Sequence, residues 1–485
     1  MKRNLLWVFL LALAIPLFAG DNQEFRATWV ITWEHINSGN TADVNKERIQ
    51  EIMDNHVRAN MNAVLFQVRQ GGTAYYNSSF ETWGKYAGYR DPGYDPLAYA
   101  VEQAHARGLE LHAWINVFEA GDTYPGSVAA NHPDWICRDG EGRPMTSHRA
   151  LSPGLEEVRR YLVDVAMEIV NNYDIDGLHL DYVRWNEFSS AKTVSLAKAS
   201  EQDYYMHNVF LSEDDIKALL ADPASRYLYD KDHPLSGGIP AGYSSWEDWW
   251  RDSVTKFVQV LHDSIQTVKP WVRLSPAALG KYNWSGWNGY NVVFQDAALW
   301  FNEGYIDQLA GMHYHWTTGQ EFYDMLVGAC PNCWSDYIQP GIAAGRLYTV
   351  GPPSYILADY RIWYQHKDIV ERSREVPWVD GFQFFSYRSW RDQRYWDDAR
   401  VDLFPRKSKI RPSGLIDSTP PAPPVLALAK FDSLHYHLTL TPVGGEAGGQ
   451  RIALYRSEDG TLSPSEDEII DLHFGETPYA LTDRF

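Results

Sequence analysis

From residue 26 onward, short and nearly continuous apolar runs alternate with longer stretches in which apolar residues return every three or four positions. The runs at 26–33 (RATWVITW), 62–69 (NAVLFQVR), 109–118 (LELHAWINVF) and 175–185 (IDGLHLDYVRW) predict strands buried on both faces, as parallel strands are. Between them the spacing predicts a helix over 44–58, a second capped by Asp95 with Pro96 in its first position and Gly108 at its end, and a third opened by Pro153 and Glu156 and running to about Asn171. Further strands are predicted at 272–279, 306–316, 337–345 and 381–387, which brings the count to eight. Strand followed by helix, repeated with short links, predicts an α/β fold of the (β/α)8 TIM-barrel type.

The flanks of this region have a different texture. Lys2 and Arg3 precede an apolar run from Leu5 to Leu17 and small residues at Ala19 and Gly20, which predicts a cleaved signal peptide over 1–20, the alternative being an uncleaved N-terminal anchor. The run is short for a membrane span, and no later segment is long and apolar enough for one, so no integral membrane segment is expected once the signal is removed. Within the barrel region of 21–411, residues 186–250 read as a long insertion. It closes on the aromatic cluster SSWEDWW (244–250) and is expected to form one wall of a cleft. Residues 412–423 form a Pro-rich linker, and 424–485 read as a small all-β module with five strands visible, short for a complete sandwich and so expected to be truncated.

Composition narrows the functional classes. A formal charge of −20 argues against nucleic acid and against an anionic membrane surface, and leaves a neutral substrate comfortable. Twenty tryptophans and 30 tyrosines suit either the CH faces of sugars or an ordinary barrel core, and composition does not choose between them. The cysteines are Cys137, Cys330 and Cys333; the CPNC pair reads as a local disulfide or two inert thiols, since cysteine alone cannot supply four zinc ligands here.

Chemistry is expected at the C-terminal tips of the strands, where barrels of this kind place it. Asp181 ends the fourth strand and is followed by Tyr182 and Arg184, so it is either a reacting carboxylate or the acid of a structural Asp–Arg pair. Other tips carry Gln67 and Arg69 on the second strand, His112, Trp114 and Asn116 on the third, His313 and His315 near the sixth, and Tyr387 at the eighth. Strand alternation predicts that Gln67 and Arg69 point together, as do His112, Trp114 and Asn116. His112, His179 and His313 could instead converge on a metal, but no HExxH or comparable spacing supports it, so neither metal nor other cofactor is expected.

The segments RATWVITWE (26–34), NAVLFQVRQGGTAYYNSSFETWG (62–84), GYDPLAYAVEQAHARGLELHAWIN (93–116), LSPGLEEVRRYLVDVAMEIV (151–170), DGLHLDYVRW (176–185), QDAALWFNEGYIDQLAGMHY (295–314) and GFQFFSY (381–387) together resemble the glycosyl-hydrolase-like family 10, in order, over about 24–395. The tail resembles a fibronectin type III module. The family resemblance implies an exported bacterial barrel protein, secreted or held in the periplasm or cell envelope, that hydrolyses a polysaccharide, cell-wall glycan included. Asp181, at the tip of the fourth strand, is placed similarly to the nucleophile of several barrel glycosidase families, and Glu34, in a WE pair that resembles the family's Trp–acid pair after the first strand, is expected to supply the second carboxyl as acid or base.

Competing acids are weaker. Glu119 follows the third strand without clear support from the resemblance, Glu187 lies too near Asp181 in the chain, and Asp296 reads as a helix cap. Substrate contacts are expected from Gln67, Arg69, His112, Trp114, Asn116, Tyr182, Arg184, His313 and Tyr387. Two functions remain open: a glycoside hydrolase with two carboxyl groups across the scissile bond, or a glycan-binding barrel that lacks a working pair.

Overall fold

The computed structural model describes residues 23–146, 148–185, 222–328, 331–411, 425–430, 432, 435–441, 451–457, 467–474 and 479–484. The signal segment 1–20, the linker 412–423, the first part of the insertion and both Glu187 and Cys330 lie outside them. Eight parallel strands close into a barrel: β1 Phe25–Val30, β2 Ala63–Gln70, β4 Glu110–Asn116, β5 Gly177–Asp181, β6 Arg273–Leu279, β7 Gln308–Met312, β8 Leu347–Val350 and β9 Gly381–Phe384. A two-residue strand, β3 (Thr73–Ala74), pairs antiparallel with the end of β2. β1 pairs with both β2 and β9, and that double pairing closes the ring.

The helices form where their caps and apolar stripes direct. Asp95 accepts from the Leu97 and Ala98 amides and starts the helix Pro96–His105, and Thr41 caps the helix Ala42–Arg58. Ile49, Ile52 and Met53 on one helix and Leu162, Val165, Ala166 and Ile169 on another (Glu156–Asn172) turn inward against the sheet. The segment 337–345 is the exception to the predicted strands. It holds the short helix Gln339–Ala343, with Pro340 in its first turn, and the strand lies just beyond it at Leu347–Val350. Proline cannot donate to a sheet ladder but is pre-shaped for a first helical turn, so the apolar run was displaced toward the next β-branched and aromatic residues.

The barrel interior is filled by side chains that also set the height of the cleft floor. Trp29 Nε1 donates to His179 Nε2 at 2.9 Å, and His179 Nδ1 meets Ser275 Oγ at 2.9 Å. Indole is a donor only, so Nε2 accepts and the proton sits on Nδ1, with Ser275 accepting it. Burial drives the His179 pKa down to about 3, so the ring stays neutral. Below lie His112, Glu110 and Arg273, joined through Glu110 Oε2. A Cβ on Gly177 would lie 2.2 Å from His112 Nδ1, so only glycine lets β5 pass that ring.

The aromatic cluster at 246–250 belongs to this packing and not to a cleft wall. It begins the helix Trp246–Val268, in which Trp249 and Trp250 are buried against Trp185, Tyr229 and Phe294. Cys137 is free and buried, and Cys333 is disulfide-bonded.

The tail forms five antiparallel strands, β10 Val425–Lys430, β11 His435–Thr441, β12 Arg451–Arg456, β13 Glu468–Phe474 and β14 Tyr479–Arg484, in sheets ordered β10-β11-β14 and β12-β13. Their shared apolar core is Leu438, Leu440, Ile452 and Leu454. The tail meets the N-terminal end of the barrel, away from the strand tips. Arg451 bonds Glu110 Oε1 and Asp176 Oδ1, both at 2.6 Å, and Phe474 stacks on His105. Glu110 and Asp176 are both buried, so removing Arg451 leaves Glu110 with Arg273 as its one remaining arginine and Asp176 with His105 alone among side chains. Arg451→Met should therefore cost about 2 kcal/mol in chemical denaturation of the full chain, and limited proteolysis should cut its tail faster than that of the parent.

Candidate active site

A cleft enclosing about 560 Å3, part of it open to solvent, lies over the C-terminal ends of the strands. Asp181 reaches it from the tip of β5. Tyr182 turns the chain with a φ of +50°, a left-handed conformation that is uncommon for an aromatic residue. The turn lets Arg184 fold back: its Nη1 stands 3.4 Å from Asp181 Oδ1, and its guanidinium lies over the Tyr182 ring, 4.5 Å from the centroid. Asp181 Oδ1 also accepts from the Tyr182 amide at 2.7 Å. Asp181, Tyr182 and Arg184 all line the cleft, as expected.

The adjoining wall comes from β1, β2 and β4. Gln67, Trp114 and Asn116 line the cleft as predicted, and Asn116 is the direct register partner of Asp181. Arg69 does not join Gln67. The β2–β4 register shifts between Gln67 and Arg69, and this irregularity turns Arg69 into the protein, where it is fully buried in a two-pronged pair with Glu81 at 2.7 and 2.9 Å. Strict alternation predicted otherwise, and a one-residue irregularity is what alternation cannot see.

Three other expected contacts also sit elsewhere. His112 is in the barrel interior on Glu110, at the level where β4 begins. His313 accepts from the Gly351 amide on Nδ1 and bonds the Tyr348 hydroxyl at 2.9 Å; burial lowers its pKa to about 3. Tyr387 lies between the barrel and the helix Ala42–Arg58, accepting from Asn55 and stacked on His56. His112, His179 and His313 are each committed to different hydrogen-bond partners, and no metal-holding group of three occurs among the described residues.

Glu34 is likewise absent from the cleft lining among the described residues. It is the third residue of the short helix Thr32–His35, its carboxylate accepts from the Ile31 amide at 2.6 Å, and it is buried. Burial raises its pKa to about 7, against the opposing pull of that amide and of Arg391 and Arg388. Asp296 is the cap of the helix Ala297–Glu303 and accepts from the Tyr282 hydroxyl, which is the structural role its sequence suggested. Glu119 sits just beyond β4 and bonds the cleft residue Asn116.

The rest of the lining escaped the sequence reading: Trp29, Trp33, Gln70, Met312, Tyr314 and Phe385, with Ile31 and Ala277. All lie at or just past strand ends, so the same tip rule would have found them had strand boundaries been known to one residue. Asp181 and the rings of Trp29, Trp33 and Trp114 give a negative oxygen flanked by broad apolar faces, a combination that accommodates a polar molecule with CH faces.

The family model described as "Glycosyl hydrolase-like 10" matches residues 24–349. Glycosyl hydrolase YngK of Bacillus subtilis is 25% identical over 459 residues, covering 87% of this chain and 80% of its own. Glycosyl hydrolase DigH of Escherichia coli is 26% identical over 391 residues, covering 70% and 77%. Among solved structures, the glycoside hydrolase domain of PgaB (BpsB) from Bordetella bronchiseptica aligns at 12% identity with a TM-score of 0.44, covering 80% of this chain and 99% of that one.

The buried Glu34 has a measurable signature. A folded-state pKa near 7, above the usual carboxylate value of 4.5, means that the fold favours the protonated acid. The resulting stability is present below pH 4.5 and is lost as pH rises through 7. Relative to the parent, Glu34→Gln should therefore gain about 3 kcal/mol between pH 4.5 and pH 8, read as the pH dependence of the difference in thermal stability.

Proposed function

The chain belongs to the glycosyl hydrolase-like 10 family, and from that membership we propose that it is an exported bacterial glycoside hydrolase acting on a polysaccharide, with the glycan strands of the cell wall as the substrate to test first. The observation that carries this reading is Asp181 at the tip of β5, inside a cleft walled by Trp29, Trp33 and Trp114. Indole faces stack on the CH faces of pyranose rings. The cation at 3.4 Å stabilises negative charge on Asp181, which suits a carboxylate that attacks the anomeric carbon or activates water beside it. Leaving-group protonation then falls to a second acid across the bond.

One observation favours a second reading. Among the described residues, Asp181 is the only carboxylate that lines the cleft. A barrel that binds glycan without cleaving it would need no partner acid.

Reducing-end release from peptidoglycan strands stripped of their peptides separates the two. The hydrolase reading expects release by the purified protein and a fall of about 10²–10⁴-fold in Asp181→Asn. Retained binding with no release by either protein would establish the binding reading in its place.

A further inference from the structure

One wall of the cleft is wired with a fixed hydrogen-bond direction. The Thr32 amide donates to Gln67 Oε1 at 3.2 Å, Gln67 Nε2 donates to Asn116 Oδ1 at 3.0 Å, and Asn116 Nδ2 donates to Glu119 Oε2 at 3.1 Å. Glu119 is itself anchored by the Gly71 amide at 2.6 Å on Oε2 and by the Gly121 amide at 2.9 Å on Oε1. Gln67 and Asn116 are 1% and 2% exposed, and both line the cleft.

A side-chain amide on its own can present either its oxygen or its nitrogen. Here both ends of the ladder forbid the reversed arrangement. A backbone N–H at Thr32 can only donate, so Gln67 must turn its oxygen there. A carboxylate held by two backbone N–H groups can only accept, so Asn116 must turn its nitrogen toward Glu119. Reversing either amide would set donor against donor at one end and acceptor against acceptor at the next, leaving buried groups unsatisfied. Each amide nitrogen keeps one hydrogen that the ladder does not use.

We infer that Glu119 is a positioning residue that, with the Thr32 amide at the other end, locks Gln67 and Asn116 as hydrogen-bond donors to the bound sugar, so that the wall beside Asp181 recognises an acceptor oxygen, a hydroxyl or carbonyl oxygen on the ring held there. Asn116 is the register partner of Asp181, which places this donor next to the reacting carboxylate. The inference rests on the glycan reading of the cleft and adds to it a rule of selection. An oxygen that accepts is retained, and a group that can only donate is rejected, because donor facing donor is left unpaired.

The test is a double-mutant cycle in the Asp181→Asn background, where strands are bound and not cut, using peptidoglycan strands stripped of their peptides as the probe. Glu119→Gln and Gln67→Met touch opposite ends of the ladder and do not contact each other. Gln67→Met is expected to weaken binding about tenfold through loss of its own donor, Glu119→Gln alone by no more than about threefold because Thr32 and Gln67 still aim Asn116, and the double variant by at least about a hundredfold, because only there is Asn116 free to reverse. A Glu119→Gln effect equal in the Gln67 and Gln67→Met backgrounds, as independent sites require, would overturn the inference.

Should the parent neither bind nor cut these strands, the glycan reading of the cleft fails on that probe while the ladder is still read without ligand. Hydrogen exchange of the Asn116 side-chain amide, assigned by its loss in Asn116→Ser, is then expected to be at least about tenfold faster in the Gln67→Met/Glu119→Gln double variant than in Gln67→Met. Equal exchange in both would overturn the assignment of Glu119.

Discussion

Closure of the barrel at β1 is the constraint on which everything else rests. Phe25 donates its amide to Asp380 O at 2.8 Å, and the strand pairs with β9 from Phe25↔Gly381 to Thr28↔Phe384, while its other edge pairs with β2. The seam is tight: Gly381 has a φ of +145°, and a Cβ there would lie 2.1 Å from Phe25 O. Glycine at that position is what permits the ring to shut. Once it is shut, eight strand ends face one side, and side chains from β1, β2, β4, β5, β6, β7 and β9 or the residues just past them meet over one floor.

That floor is polar at its centre and apolar at its edges. Trp29 is held by a neutral histidine whose proton position follows from its partners, so the ring that forms part of the cleft is fixed from below. Above it, charge is concentrated at Asp181 and Arg184, and the neutral amides of Asn116 and Gln67 adjoin it on the neighbouring strands. The opposite end of the barrel carries a separate ionic cluster, Glu110, Asp176, Arg273 and Arg451, which joins the tail to the barrel and takes no part in the cleft. Function and attachment are thereby assigned to opposite ends of the same strands.

Much of the barrel was legible because parallel strands are buried on both faces and so write continuous apolar runs, while their helices write a three-to-four repeat interrupted by caps such as Asp95. The one misplaced strand, 337–345 for Leu347–Val350, came from an apolar run that proline converts into a helical turn. At the site, Asp181, Tyr182, Arg184, Gln67, Trp114 and Asn116 were legible by the tip rule alone. Arg69 was lost to a register shift, Tyr387 to the helix that begins at that residue, and Glu34 to a capping role that only its neighbours reveal.

The sequence by itself determined the alternation of strands and helices, the placing of an acid at the end of β5, the net charge and the family to which these motifs belong. Those properties are local in the chain or summed over it, and periodicity, capping and composition report them directly. The tertiary structure alone decided which tip residues share the cleft, which histidines are interior packing, and in which direction the Gln67, Asn116 and Glu119 hydrogen bonds run. Those depend on groups 35 to 49 residues apart being brought within hydrogen-bond reach, as Thr32 is to Gln67, Gln67 to Asn116 and Gly71 to Glu119, and no local pattern in a chain encodes a distance that only ring closure creates.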